Sequence, residues 1–338
     1  MPYRMNNQNT AIKLAILKAL KEIKGPAGAA RIRERLLASG LDLQPRTVRF
    51  YLLQMDREGL TNTVSRRAGR QVTEQGHGEL ENANIIEKVG FVASRIDSLL
   101  YRMSYDLRAA TGSIVTNLAL IQRSYLVRAM EDMRPVFARR LGMGTRLAIV
   151  REGENFGAVN VPADMVALGT VCSVTANGIL LKHGIPVTSR FGGLMQIQDG
   201  KPVRLTALIE YSGTTLDPLE AFIRAGMTRV RECARTGTGV IGIGFREVPS
   251  GAVPEVRRIK KEMERQGLDG ILAIGHPNQP LFDVPVGEGR AGLVVNGGLN
   301  PVAALCEAHA EVRFHSLAEV EEIRRFGDFN ALRDGLRD

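Results

Sequence analysis

Two stretches of this 338-residue chain superimpose without a gap at a shift of 123 residues. Asn155 falls on Asn278, Val161-Pro162 on Val284-Pro285, Gly169 on Gly292 and Val171 on Val294. Further on, Asn177 meets Asn300, Arg190-Phe191 meet Arg313-Phe314, and Leu194 meets Leu317. Each copy reads strand, Val-Pro, glycine, strand, Asn turn, helix, Arg-Phe. Repeated units of this kind bury their apolar faces against each other, so the pattern predicts two similar halves packed pseudo-symmetrically. Chance matching in a chain rich in Gly, Val and Pro is the alternative, and the clustering at one offset weighs against it. β-like runs at 113–120, 147–150, 203–211, 240–245, 270–274 and 292–295 alternate with helical runs and glycines. The class predicted for the body is therefore α/β (α+β).

The first quarter of the chain reads differently. Residues 1–80 hold 14 Lys+Arg against 7 Asp+Glu, whereas the remainder holds 31 against 29. A basic module on a near-neutral body suggests a polyanion-binding head. Ile12, Ala15, Ile16, Ala19, Leu20 and Ile23 recur at helical spacing, with Lys13, Lys18, Lys21 and Lys24 facing away, until Gly25-Pro26 stops the helix. A second helix is expected over 29–38, burying Ile32, Leu36 and Leu37. Pro45 suits the first turn of a third, in which Val48, Leu52 and Met55 form the buried stripe. Two short β-like runs then flank the basic turn Ser65-Arg66-Arg67-Ala68-Gly69-Arg70. This order describes an N-terminal winged helix-turn-helix. Its DNA-contacting candidates are Arg46, Thr47, Arg49 and Phe50 on the third helix and Arg66, Arg67 and Arg70 on the wing. Asn82-Ala83-Asn84 marks the expected junction, which gives a head over 1–82 and a body over 85–330 that opens with a helix at 85–100.

Several classes are excluded or disfavoured. Hydrophobic residues at 44% and charged residues at 24% describe a folding chain and not a disordered one. No apolar run approaches the roughly 18–20 residues of a membrane helix, and the N-terminus lacks the order of a secretory signal, so a cytoplasmic setting is expected. Cys172, Cys233 and Cys306 lie far apart, without a CxxC pair, which argues against a disulfide scaffold or a four-cysteine zinc site. The five histidines show no metal-ligand spacing and no GxxxxGK[ST] loop occurs, so neither a metal nor a cofactor is expected.

Longer motifs stand out in both parts of the chain. The head carries Arg46-Thr47-Val48-Arg49-Phe50-Tyr51-Leu52, with Gly69-Arg70 and Thr73-Glu74-Gln75-Gly76. The body carries Gly169-Thr170-Val171-Cys172-Ser173-Val174-Thr175, Asn177-Gly178-Ile179-Leu180-Leu181-Lys182 and Arg190-Phe191-Gly192-Gly193. Tyr211-Ser212-Gly213-Thr214-Thr215-Leu216-Asp217-Pro218, Gly244-Phe245-Arg246-Glu247-Val248-Pro249 and Asn296-Gly297-Gly298-Leu299-Asn300-Pro301 follow. In these motifs the chain resembles the NrpR family of nitrogen-regulation repressors. The resemblance implies repression of nitrogen-assimilation genes, relieved when 2-oxoglutarate binds the regulatory domain, and not an enzyme. The best-known members carry two tandem regulatory domains, whereas this chain has length for one.

A dicarboxylate effector needs fixed donors and a cation. Thr214 and Thr215 stand at a turn into a helix, where backbone N–H groups can hold a carboxylate, although an ordinary capped helix start reads the same way and is the better reading of any single residue there. Arg246 is expected at a strand end, and His276 follows the run 271–274. Cys172, in a Val-rich β-like segment, reads first as a buried inert thiol, and the resemblance places that segment near the effector region. Asn177 and Asn300 complete the candidate effector set, although Gly178 and Pro301 beside them also suit turns. Arg190 and Arg313, repeated in both halves, suit structural pairing across the pseudo-axis. The partners expected are palindromic duplex DNA, a small-molecule effector and a second copy of the chain, since one winged helix reads few base pairs. Two other readings stay open: a winged-helix RNA-associated protein, and an enzyme with Cys172 as nucleophile and His183 or His276 as base.

Overall fold

The computed structural model describes residues 3–23, 25–65, 67–87 and 91–336, which form two compact units, 1–89 and 90–338. In the first, α1 (Tyr3–Ile23), α2 (Ala29–Ala38) and α3 (Pro45–Arg57) precede a hairpin of β1 (Thr61–Ser65) and β2 (Gly69–Val72), then α4 (Glu74–Glu87). Ile16, Leu17 and Leu20 of α1, Ile32 and Leu36 of α2, and Val48, Leu52 and Met55 of α3 make the core. Leu37, expected inside, is half exposed at 50%; it lies one position beyond Leu36, which turns it out of the stripe facing the core. Ala27 bridges the wing by a reciprocal pair of backbone bonds with Arg70 at 2.9 and 3.0 Å. The contact requires Gly69, since a Cβ there would lie 2.2 Å from the Ala27 carbonyl oxygen. Lys24 and Arg66 lie outside the described residues.

The junction falls later than expected. Helix α4 runs through Asn82-Ala83-Asn84, because no proline interrupts it and asparagine costs a helix interior only a few tenths of a kcal/mol. The helix expected over 85–100 overlaps the end of α4 and most of α5 (Phe91–Arg102), with residues 88–90 outside the described residues.

The second unit contains the repeat. Its first copy comprises β3 (Ser113–Gln122), α6 (Leu126–Ala138), β4 (Arg146–Val150), the small ribbon β5 (Asn155–Phe156) and β6 (Val159–Asn160), β7 (Met165–Val171) and α7 (Val174–Lys182). Strand β8 (Thr188–Gln198) completes it, and β9 (Lys201–Glu210), α8 (Pro218–Arg224) and α9 (Val230–Thr236) follow. The second copy is β10 (Gly239–Pro249), α10 (Val253–Arg265), β11 (Ile271–Ile274), β12 (Arg290–Asn296), α11 (Asn300–Glu307) and β13 (Arg313–Glu322). The chain closes with β14 (Gly327–Asp328) and α12 (Phe329–Asp334). Both sheets are antiparallel and five-stranded, ordered β14-β4-β7-β3-β13 and β11-β12-β10-β8-β9.

Equivalent strands occupy equivalent places, with one exchange: β8 of the first copy lies beside β10 of the second, and β13 of the second lies beside β3 of the first. Gly169 and Gly292 have the same task in each copy. A Cβ would strike the Phe156 ring at 2.6 Å in one and the Leu281 side chain at 2.9 Å in the other. Along β7, Val166 and Leu168 enter one apolar cluster and Ala167 and Val171 the other. The sheet is therefore buried on both faces, which is why its strands read as apolar runs without alternation. Among the described residues no helix is long and apolar enough to cross a membrane.

Candidate functional site

Two places concentrate function-bearing residues, one in each unit. In the head, Arg46, Arg49 and Phe50 project outward from α3, and Thr47 is half-buried beside them. Arg67 is exposed at the wing tip. Arg70 is committed elsewhere: its Nε donates to Asp56 Oδ2 at 2.7 Å, and Thr61 Oγ1 donates to the other oxygen at 2.6 Å. The pair ties β2 to the end of α3 and so sets the angle of the wing.

In the body, the site is built around Arg246. Its guanidinium is buried, with Nε donating to Asn177 Oδ1 at 2.5 Å, one terminal nitrogen to Ser173 Oγ at 2.9 Å and the other to the Gly244 carbonyl at 3.0 Å. The side chain curls back over its own strand, which is possible because Gly244 has no Cβ; one there would lie 2.4 Å from the guanidinium. Gly192, opposite Gly244 on β8, likewise admits Pro218. Asn177 is held in turn, donating to Ser189 Oγ at 2.8 Å.

Cys172, Tyr211 and Asp217 surround this cation electrostatically and are all buried. Asp217 caps α8, accepting from Leu219 N at 3.0 Å and Glu220 N at 3.2 Å. Burial, with the nearby Glu220 charge, raises its carboxyl to about 6 against the opposing cap bonds and Arg246. Burial also pushes the Tyr211 phenol well above its usual value and the Cys172 thiol up to about 12, and lowers Arg246. A buried thiol so far from its thiolate form is a poor nucleophile. His183 is engaged with the Ile179 carbonyl through Nδ1 at 2.8 Å.

The structure thus brings Arg246, Asn177 and Cys172 together and separates the other candidates. Arg246 lies within β10 and is 1% exposed, not at a strand end, because β10 continues to Pro249. Thr214 closes a turn on itself, with Oγ1 donating to the Leu216 carbonyl at 2.5 Å, and Thr215 follows in the same turn. The helix start expected to grip a ligand carboxylate is already capped by Asp217. Asn177 sits inside α7 and not in a turn. Asn300 accepts from Gly242 N at 2.9 Å and donates to the Leu141 and Gly242 carbonyls at 2.6 and 2.9 Å, a structural clamp on β10. His276 is exposed after β11. Arg190 pairs with Glu247 at 2.5 Å across the exchanged strands, whereas Arg313 is exposed. Sequence reasoning missed Ser173, Ser189, Tyr211 and Asp217. The aspartate alone carried a signal, since Asp followed by Pro is a helix N-terminus signature.

Comparison with known proteins places this geometry. The family model described as NrpR regulatory domains NRD1 and 2 matches residues 89–328, and a ribonuclease R winged-helix domain model matches residues 14–80. The chain is 32% identical over 305 residues to the global nitrogen regulator NrpRI of Methanosarcina mazei, covering 90% of this chain and 94% of that protein. It is 31% identical to the global nitrogen regulator NrpR of Methanococcus maripaludis over 88% of this chain, but spans only 51% of that longer protein. A crystal structure of a nitrogen repressor-like protein from Methanococcus jannaschii superimposes with a TM-score of 0.60 at 28% identity, over 70% of this chain and 97% of that one. A family match across the whole repeat, joined to a winged-helix head, assigns the chain: it belongs to the NrpR family.

Proposed function

We propose that this chain is a winged-helix regulator that represses nitrogen-assimilation genes from palindromic duplex operators in the cytoplasm. A small dicarboxylate, 2-oxoglutarate, relieves the repression by binding at the Arg246 cluster of a dimeric protein. The relatives' names support the regulatory role. The observation that carries the effector reading is a buried guanidinium whose hydrogen-bond partners are all neutral oxygens. A buried cation gains most from a carboxylate that bonds it directly. Tyr211 and Asp217 frame the cluster, while Ser212, Gly213 and Leu216 between them are exposed. An RNA-associated role is the second reading, favoured by the ribonuclease R winged-helix match.

The test is titration of the full chain on duplex promoter DNA from nitrogen-assimilation genes, with and without 2-oxoglutarate, alongside calorimetry of effector alone. Allosteric couplings of about 1–3 kcal/mol predict a roughly 5–150-fold loss of operator affinity at saturation. Arg246→Lys should abolish the response and leave operator binding intact. Absence of heat at millimolar 2-oxoglutarate would sink the effector assignment, and tighter binding of RNA than duplex DNA would sink the operator.

A further inference from the structure

The outer face of α3 combines cations with exposed apolar side chains in a way that simple phosphate binding does not require. Arg46, Arg49, Phe50, Leu53 and Arg57 are all exposed, and at about 100° per residue they fall within a single arc of roughly 100°. Val48, Tyr51, Leu52 and Met55 occupy the opposite side and are buried. Phe50 is 62% exposed and Leu53 54%, so two large hydrophobic side chains stand in water at the centre of the cationic stripe.

The arginines of this stripe also differ from other basic residues of the head. Lys13 is paired with Glu58, Arg33 with Asp42 and Arg70 with Asp56. Among the described residues no ion pair or hydrogen bond holds Arg46, Arg49 or Arg57. Three uncommitted guanidinium groups around an apolar centre complement a polyanion that offers apolar groups between its charges. In the major groove of B-DNA those groups are the thymine 5-methyls, which protrude beside base-edge acceptors. Single-stranded bases would offer ring faces to stack on, but α3 presents one aromatic ring flanked by an aliphatic side chain, and Leu53 cannot stack.

We propose that Phe50 and Leu53 are specificity-determining residues that contact thymine methyl groups in the major groove, with Arg46, Arg49 and Arg57 holding α3 against the flanking phosphates and base edges. This deepens the operator-binding reading and rests on it. The test uses full-length protein and duplexes that it selects from a random-sequence library, resynthesised with deoxyuridine in place of thymidine, which removes only the methyl group. Affinity should fall about fourfold for each contacted methyl. The thymidine–deoxyuridine difference should shrink in Phe50→Ala and Leu53→Gln, whose side chains lie outside the core. Equal binding of both duplexes by the unaltered protein, or an undiminished difference in both variants, overturns the proposal while leaving operator binding in place. Failure to select any duplex overturns the operator reading itself.

Discussion

Replacing Asp217 by Asn should make the protein more stable at neutral pH, although it removes a carboxylate that favours the charge of the buried Arg246. Asp217 titrates at about 6 in the fold against 3.8 ordinarily, because burial disfavours its charge more than its cap bonds and Arg246 favour it. The native state therefore retains a proton that the unfolded chain has lost between about pH 4 and pH 6. Stability from this group is highest below that window and declines as pH rises through it. Holding the carboxylate charged at pH 8 thus costs about 3 kcal/mol. Asparagine caps a helix about as well as aspartate, so the Leu219 and Glu220 amides keep their acceptor while the ionisation is gone. The assay is guanidinium unfolding of both proteins from pH 4 to pH 8, followed by a probe in the second unit. The variant should gain about 1–3 kcal/mol at pH 8 and nothing at pH 4, with a flatter profile between. If Asp217→Asn is less stable at pH 8, the carboxylate is a net partner of Arg246, and the account of the cluster as an under-compensated cation is wrong.

Asn300→Ala should destabilise the second unit by about 3–4 kcal/mol, because the Gly242 amide and carbonyl and the Leu141 carbonyl lose a buried partner together; a loss below about 1 kcal/mol in denaturant unfolding would refute the clamp. Arg67 and Arg70 should separate in function. Arg70→Ala should lower the head's stability by about 1 kcal/mol through loss of its Asp56 pair, measurable by thermal unfolding. Arg67→Ala should leave stability unchanged and flatten the slope of log K against log salt by about 0.9 if it neutralises one phosphate; the opposite assignment of effects would show that the wing is read backwards.

The helices and hairpin of the head were legible because their signals are local. Pro45 opens α3, Gly69 permits the wing turn, and Val48, Leu52 and Met55 recur on one face. The strands of the body were legible as apolar runs and the repeat as a register, but the exchange of β8 and β13 was not. Gly192-Gly193 within β8 and His315-Ser316 within β13 weaken the strand pattern, and pairing that joins Thr188 to Glu247 and Glu322 to Ser113 leaves no local trace. The site was half legible for the same reason. Arg246 could be singled out as a cation in a glycine-rich strand, yet its partners Ser173 and Asn177 arrive from another element. Helix-start chemistry at 214–217 pointed outward to a ligand, whereas the buried Asp217 already satisfies it.

The strand exchange also dictates when this protein can fold. Arg313 pairs with Leu120 and Glu322 with Ser113, so β3 waits for a neighbour that lies roughly two hundred residues downstream. During synthesis the first half emerges with one strand already claimed by a sheet that does not yet exist, and with its own place for β13 empty. Closing a loop of that length is slow, and an unpaired strand edge in the meantime is a surface on which other nascent chains can add. Neither copy of the repeat can be a folding unit. The second unit should form in one late step after residue 322 leaves the ribosome, and a chain terminated at the midpoint of the repeat should be a client for chaperones and proteases, not a smaller working domain.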